Sequence, residues 1–446
     1  MRDIGLALFL LSFIAVGFRR PFLLVLAYCY VDIVAPQRLS YYLVNSIPVS
    51  LIVFCLAVGM WLVADDKKNL RYSSRQFLLV ILLIYCSITT QFADFPIEAA
   101  DKLGWVWKAL LWAIFLPLTL TTRLRIEALA TTLILCASSI AITGGIKTLA
   151  GGGGYGTLAL LVDDNSGLYE GSIMSCVAVA IIPIILYLSR FSTIFPPDWR
   201  VKAFAYALCF ACLMIPIGTQ ARTGLVCIVM LVILAMRATK RKFVYAGAIA
   251  LAALIAIPLL PSAFMDRMST IQGYKADSSA STRVAVWRWT WEYAKDHPFG
   301  GGFDAFRGNR LEYKLGNGAT VIDQARAYHN SYFEMLGEQG YPGLLVWLTL
   351  HVMGIVQMEK IHRRYKNNQR SDLRWVSPLA VALQNAQIIY LTGCMFVGIA
   401  FQPFIYMILA MQIGFSTYMK RLEQEQSWKL KPIAMEPEAE PKGFAR

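Results

Sequence analysis

The chain has few charged and few titratable side chains for its length. Asp, Glu, Lys and Arg together make up 16% of its 446 residues, and only four residues are histidine. Hydrophobic residues make up 57% of the chain, and the mean hydropathy is +0.52. Soluble globular proteins of this length carry more charge, so the composition excludes that class and indicates an integral membrane protein.

The sequence also lacks the usual motifs for metal, nucleotide and disulfide chemistry. All nine cysteines lie in apolar stretches, which argues against a disulfide framework. Cys209 and Cys212 form a C-x-x-C without histidine or acidic partners, so helix packing is favoured over a metal or redox pair. The run GGGGYG at 151–156 lacks the Gly-Lys-Ser/Thr ending of a phosphate loop and favours a flexible turn. We therefore predict no metal and no cofactor.

Long apolar stretches recur along the chain, and most approach the roughly 20 residues that a helix needs to cross a bilayer. They predict an all-α polytopic membrane protein with about 12 or 13 transmembrane helices, because the last stretch is long enough for two. Residues 4–35 fit either two tilted spans or a re-entrant pair. Residues 4–17 lack a strong basic flank and a cleavage site, so we expect them to be retained. The stretches are 4–17, 21–35, 48–64, 76–92, 105–121, 127–146, 171–189, 202–218, 222–236, 243–260, 341–358 and 376–418.

Basic residues concentrate in alternate loops and predict the orientation. Short loops rich in Lys and Arg stay in the cytoplasm, so the segments between them, above all 261–340, are expected in the periplasm of a bacterium. This use of the +14 net charge makes a nucleic-acid partner unnecessary. The basic loops are 65–75, 121–125, 190–202, 237–242 and 359–370. The predicted regions are transmembrane regions at 1–125, 126–260 and 341–418, a periplasmic loop at 261–340 and a disordered cytoplasmic tail at 419–446.

The periplasmic loop carries nine acidic and nine basic side chains and is expected to be folded and largely helical. Residues 281–298 predict a helix that places Val284, Trp287 and Trp291 on one stripe, which is typical of an anchor at the membrane interface. The glycines at 300–302 predict a turn.

Three side chains on this face are candidates for chemistry. Arg222 is predicted at the exported end of an apolar helix, where a guanidinium is energetically unfavourable unless it has a binding partner or a function. Arg283 begins the tryptophan-striped helix, and His329 precedes the next apolar run. Taken singly, each has an ordinary explanation: a snorkelling side chain, a solvated helix end and a polar contact. Because all three are predicted on the same side of the membrane, we favour a shared function in one site.

Transfer of a sugar from a lipid diphosphate would use such a set. Arginine offers planar, permanently charged forks to the departing diphosphate. A neutral histidine can take the proton of the incoming hydroxyl. Neither role needs a metal. An ion-coupled transporter or flippase would instead need ionisable groups within the membrane, of which Asp32 and Lys108 are the main examples.

The patterns TQARTG, STRVAVW…P…GGGF and YHNSYFEMLGEQGYPG resemble the O-antigen ligase superfamily of polytopic membrane glycosyltransferases. The amino end, MRDIGLALFLLSFIAVGFRRPFLLVLAYCYVDIVAPQRLSYYLV, resembles its branch of O-glycosylation ligases associated with exosortase A systems. The segment DDNSGLYEG at 163–171 departs from the family's DPN-like element, which weakens any role for Asp163 or Asn165.

The resemblance implies roles for individual residues and a location for the enzyme. Arg222 and Arg283 would bind the diphosphate and assist catalysis, His329 would act as the base, and Asn330 and Tyr332 would help to form the substrate site. The expected enzyme is a metal-independent glycosyltransferase of the bacterial inner membrane. It would take a glycan from undecaprenyl diphosphate and join it to a hydroxyl of lipid A core, protein or another glycan in the periplasm. Membrane lipid is a further partner. A polymerase of the same superfamily is the nearest alternative, and a flippase is the alternative from another class.

Overall fold

The structure, a computed structural model, is built almost entirely of helices. It describes residues 2–40, 42, 44–45, 47–67, 70–151, 158, 167–237, 247, 264–265, 278–314, 320–368 and 370–429. Its helices are α1 (Arg2–Arg19), α2 (Phe22–Val34), α3 (Pro36–Leu39), α4 (Val49–Ala64), α5 (Ser74–Gln91), α6 (Pro96–Thr119), α7 (Arg123–Leu149), α8 (Gly171–Phe191), α9 (Trp199–Gly218), α10 (Arg222–Arg237), α11 (Ser278–Asp296), α12 (Ser331–Tyr365), α13 (Val376–Gly393) and α14 (Pro403–Lys429).

The apolar stretches of the sequence coincide with these helices. Within the described ranges each stretch corresponds to one helix, and the last, 376–418, contains two, α13 and most of α14. Among the described residues, five helices are long and apolar enough to cross a membrane by length and composition: α5, α7, α8, α9 and α12. The predicted class, an all-α polytopic membrane protein, is confirmed. The apolar stretch 243–260, the glycines after Gly151 and the tail from residue 430 lie outside the described residues.

Contacts between loops separate the bundle into two ends. Arg125 binds Asp65 at 2.7 Å, and Arg237 binds Glu359 at 2.7 Å, so the loops predicted to share the cytoplasm lie at one end. At the opposite end Asp94 N–H donates to Gly301 O at 2.9 Å, which joins two of the loops predicted to be periplasmic. The alternation of basic loops therefore matches the way in which the helices pack.

The first two helices run between these two ends. At one end Asp3 accepts a hydrogen bond from Tyr42 N–H at 2.8 Å. At the other, where α1 turns into α2, the guanidinium of Arg125 lies 5.0 Å from the ring centre of Phe22. Since α1 packs against α2 along this path, residues 4–35 form an antiparallel helix pair. Whether the pair crosses the membrane as two spans or is re-entrant stays a prediction.

Helix α12 is broken near its start. Gly340 has φ 62° and ψ −166°, which no α-helical residue adopts, and Pro342 follows two residues later. The break separates a short helix at 331–339, called the half-helix below, from the long apolar part. The half-helix is mostly buried at the end of the bundle that holds the predicted periplasmic loops. Irregular backbone at such depth is tolerated only where protein surrounds it.

The segment before the half-helix combines helix α11 with a small antiparallel hairpin. Strands β1 (Arg310–Lys314) and β2 (Thr320–Gln324) pair in the register Glu312↔Ile322. The prediction of a helical loop thus misses one hairpin, because two five-residue strands leave a weak periodic signal. On α11 the buried stripe is Val286, Thr290 and Ala294. Val284 and Trp291 of the predicted interfacial stripe are about half exposed.

We expect the two ends to be separable by chemical labelling. Thr320 and Asn367 are both exposed and lie in loops predicted to be on opposite sides of the membrane. In a cysteine-free background, Thr320→Cys should react with an impermeant thiol reagent added from the periplasmic side, whereas Asn367→Cys should react only after permeabilisation. The reverse pattern would place His329 in the cytoplasm and contradict the proposed chemistry below.

Candidate functional site

Asn330 fixes the start of the half-helix. Its side-chain oxygen accepts from the backbone N–H of Tyr332 at 2.9 Å and of Phe333 at 3.2 Å, which caps the helix. Its amide donates to Met395 O at 3.0 Å. The Tyr332 hydroxyl donates to Leu391 O at 3.1 Å. Both side chains therefore hold the half-helix against the end of α13, and a direct contact of either with substrate stays a prediction.

His329 lies immediately before this cap in an unusual backbone conformation. Its φ of 46° is in the left-handed region, which a non-glycine residue adopts only when the surrounding structure enforces it. The turn leaves the residue exposed, while its neighbours Tyr328 and Asn330 are buried. The strained backbone at His329 thus exposes its imidazole at the surface of the site.

Arg283 is brought to His329 by helix α11. One turn after Arg283, the indole N–H of Trp287 donates to Tyr328 O at 2.9 Å. The Trp287 ring stacks on Phe333, with ring centres 5.5 Å apart. These two contacts fasten α11 to the residues on both sides of His329. Two of the three predicted site residues are therefore neighbours in the structure.

The surroundings keep His329 neutral. Desolvation lowers the pKa of its ring, although the residue is exposed on one side, and the positive charges of Arg283 and Arg326 lower it further. A pKa below the ordinary 6.5 leaves the imidazole unprotonated at pH 7. The ring is therefore in the form that can accept a proton.

Arg222 begins helix α10 at the same end of the bundle. Five residues later, Cys227 donates its thiol to Ile389 O at 3.7 Å. It also lies against Gly393, the last residue of α13. Since a helix rises 1.5 Å per residue, Arg222 is level with or beyond the end of α13. The carbonyl oxygen of Cys394, which directly follows the last residue of α13, accepts a hydrogen bond from the backbone N–H of Ser331 at 2.8 Å. The end of α13 therefore also contacts the start of the half-helix. The structure thus places Arg222 at the end that holds Arg283 and His329.

The half-helix also contributes two carboxylates to a buried cluster of charges. Lys102 of α6 donates to Glu334 at 2.8 Å and to both oxygens of Glu338 at 2.8 and 3.0 Å. Asp304 N–H donates to Glu338 at 3.1 Å. Glu338 is fully buried and Glu334 nearly so. The sequence shows the two carboxylates four residues apart on one helix face, but it does not reveal their partner, which precedes them by more than 230 residues.

The glycine loop at 300–302 closes the other end of the half-helix. The N–H groups of its second and third residues donate to Gly337 O and Glu338 O, both at 3.0 Å. These are carbonyls that the break in α12 leaves without helical partners. Gly300 and Gly340 have positive φ, and a Cβ on either would overlap the backbone of the other. The predicted turn is confirmed, and its close approach to Gly340 explains why both positions need glycine.

No group of three or more His, Cys, Asp and Glu side chains that could hold a metal occurs in the described ranges. Asp163, Asp164 and Asn165 lie outside those ranges. Glu170 is described, and its carboxylate caps α8 by accepting from Ile173 N–H at 2.6 Å. Independence from metal stays a prediction.

Comparison with known families bears on these residues directly. Residues 206–348 match the family model described as O-Antigen ligase. The chain therefore contains an O-antigen ligase domain. The predicted superfamily is confirmed, and with it a multi-pass membrane protein whose domain is of the ligase or polymerase type among glycosyltransferases. Residues 1–193 match a Family of unknown function (DUF5935). No curated protein matches the chain.

The O-antigen ligase domain contains every predicted site residue. Arg222, Arg283 and His329 lie within 206–348, as do both carboxylates of the buried cluster. Lys102, which binds both of those carboxylates, belongs to the segment of the other family. The two matched segments thus meet at the half-helix.

Proposed function

We propose that the protein is a lipid-linked glycosyltransferase of the inner membrane, with its active site facing the periplasm. It transfers a glycan from undecaprenyl diphosphate to an acceptor hydroxyl. The observation that carries the proposal is the placement of Arg283 beside a neutral, exposed His329 within the O-antigen ligase domain. A permanent cation next to a proton acceptor is what a diphosphate leaving group and an incoming hydroxyl require.

The reaction follows from these two kinds of group. A ring nitrogen of His329 takes the proton of the acceptor hydroxyl as its oxygen forms a bond to the anomeric carbon. The bond from that carbon to the diphosphate oxygen breaks, and the electron pair leaves with the diphosphate. Arg222 and Arg283 stabilise the added negative charge with planar guanidinium forks. The imidazolium then returns its proton to solvent. A single displacement of this kind inverts the anomeric configuration.

The residues that hold His329 and Arg283 in position also contribute to the proposed reaction. The half-helix and its cap set the direction of the His329 side chain, and the stacking of Trp287 on Phe333 sets the position of Arg283. Such preorganisation contributes to rate because reacting groups are held in a productive arrangement before the reaction begins. The apolar helices offer the carrier tail a place between them, while its diphosphate reaches the end that holds Arg222.

Reconstitution in liposomes tests the proposal against its alternatives. Purified protein, a glycan-bearing undecaprenyl diphosphate and an acceptor should give free carrier diphosphate and a glycosylated acceptor, also with a strong chelator present. Lengthening of the lipid-linked glycan would identify a polymerase. Movement of intact donor across the bilayer without any transfer would identify a flippase and refute the proposal.

Arginine-to-lysine variants test the diphosphate contacts. Arg222→Lys and Arg283→Lys keep a charge but lose the two-pronged fork, so each should lower turnover by about tenfold or more, given about 1.5–3 kcal/mol for a hydrogen bond to a charged group. Arg222 should be the more sensitive, because it begins an apolar helix and is expected to lie closer to the low-dielectric interior. The measurement is single-turnover rate and donor affinity in nanodiscs.

Arg288→Lys is the matched control, because Arg288 lies on the same helix as Arg283 and is exposed. It should behave like the wild type. If Arg222→Lys and Arg283→Lys also keep full turnover, the two arginines serve as topological anchors and have no part in binding diphosphate.

A further inference from the structure

A cavity of about 560 Å³ lies beside the half-helix. Its walls come from α2 and α3, from the first half of α6, from the start of α8 and from the segment 398–404 between α13 and α14. Its charged lining residues are Asp32, Arg38, Lys102, Lys108 and Glu334, and Gln37, Trp105 and Gln402 add polar and aromatic groups. A volume in the range of about 300–1,000 Å³ is typical of sites for small molecules.

Two lining side chains carry acceptor oxygens that lack a donor. Within the part of the chain that the structure describes, Oδ2 of Asp32 and Oε1 of Gln37 are enclosed by protein and have no hydrogen-bond partner. A buried acceptor without a partner is unfavourable by about 1–3 kcal/mol. The terminal torsions of Asp and Gln are soft, so a modest rotation brings either oxygen to the cavity. A ligand that donates hydrogen bonds there would remove the cost.

The same cavity disfavours a phosphate as the group that meets these oxygens. A carboxylate such as Asp32 repels a phosphate, whereas it accepts readily from hydroxyl groups. Of the three cations in the lining, Lys102 is already paired with Glu334 and Glu338. Arg38 and Lys108 also line the cavity, and neither donates to the two unpaired oxygens. Hydroxyl-rich ligands also present apolar C–H faces. The exposed Trp105, one turn from Lys108 on the same face of α6, offers such faces a flat ring.

The cavity is connected to the candidate catalytic residues through one short helix. Glu334 lines the cavity and follows His329 by five residues, the last four of which belong to the half-helix. Most of the other walls belong to residues 1–193, which match the family of unknown function. A molecule held in the cavity would therefore extend toward the site formed by the O-antigen ligase domain.

We propose that this cavity binds a glycan segment, with the hydroxyl groups of one or more sugar residues donating to Asp32 and Gln37. The ligand class rests on the proposed function. The N-terminal segment of the chain thereby selects the glycan, and the O-antigen ligase domain carries out the transfer. The glycan can be that of the donor or that of the acceptor, and the two sources are distinguished by the experiment.

The test uses full-length protein in nanodiscs with Asp32→Asn and Gln37→Ala. Asp32→Asn removes a partly buried charge without changing shape, so the variant should fold. Asp101→Asn is the matched control, since Asp101 is exposed one residue before Lys102 on the same helix. Three quantities are measured: affinity for undecaprenyl diphosphate without a glycan, affinity for the glycan-bearing carrier from the native membrane, and KM and kcat for the acceptor.

Asp32→Asn and Gln37→Ala should bind the bare carrier like the wild type and should keep kcat. If the cavity holds the donor glycan, each weakens binding of the glycan-bearing carrier, by about tenfold for Asp32→Asn and threefold to tenfold for Gln37→Ala. If it holds the acceptor, the same factors appear in the acceptor KM. Wild-type values for both variants in both measurements would overturn the cavity proposal alone. Failure of the proposed function would instead show as wild-type protein that transfers no glycan.

Discussion

Replacing His329 with alanine should lower the single-turnover rate of glycan transfer by a factor of about 10² to 10⁴, which is the usual contribution of a positioned general base. Donor affinity should stay near that of the wild type, because the imidazole acts on the acceptor proton and the arginines hold the diphosphate. His297→Ala is the matched control, since His297 is an exposed histidine at the end of α11 whose ring stacks on Tyr293. A His329→Ala variant with a normal single-turnover rate would refute the assignment of the base.

The pH dependence of the rate gives an independent check on His329. Only the unprotonated ring accepts a proton, so the rate should fall as pH is lowered through the pKa of His329. Because desolvation and the charges of Arg283 and Arg326 lower that pKa, the midpoint of the fall should lie below 6.5. Arg326→Gln removes one of these charges. The change favours the protonated ring, so the midpoint should rise.

Replacing Lys102 with methionine should destabilise the protein by about 3–5 kcal/mol, the range for removing one partner from a buried ion pair. Glu334 and Glu338 would then be left in the bundle without the ammonium that binds both of them at 2.8 Å. The measurement is the thermal unfolding midpoint in detergent, followed by loss of monodisperse protein. Since the half-helix carries His329 at its start, turnover should fall together with stability.

Two further variants test whether the loss of stability comes from the buried cluster or from the loss of any lysine charge. Adding Glu338→Gln to Lys102→Met removes one of the stranded carboxylates and should recover part of the lost stability. Lys295→Met is the control, because Lys295 pairs with Glu292 at an exposed position of α11, where ion pairs contribute little. An unfolding midpoint of Lys102→Met equal to that of the wild type would mean that the carboxylates are protonated or hydrated in the protein, contrary to the pairing described.

The helices and the alternation of their connecting loops follow from local features of the sequence. Apolar stretches of the length that a bilayer requires can satisfy their backbone groups only as helices, so each described stretch is a helix. Basic loops such as 121–125 and 359–370 fall at one end because charge near the membrane sets the side on which a loop stays. The same reasoning predicts Arg222, Arg283 and His329 at the opposite end.

The arrangement of that end depends on contacts between distant parts of the chain. A glycine in a helical pattern does not indicate a break, and Gly340 adopts its positive φ because the glycine loop at 300–302 packs against its backbone. The partner of Glu334 and Glu338 lies on α6, and the cavity joins residues near 35 to residues near 400. Periodicity and loop charge are local properties of the chain, whereas these contacts depend on which distant helices pack together. That choice is made by the shapes of all the side chains at once.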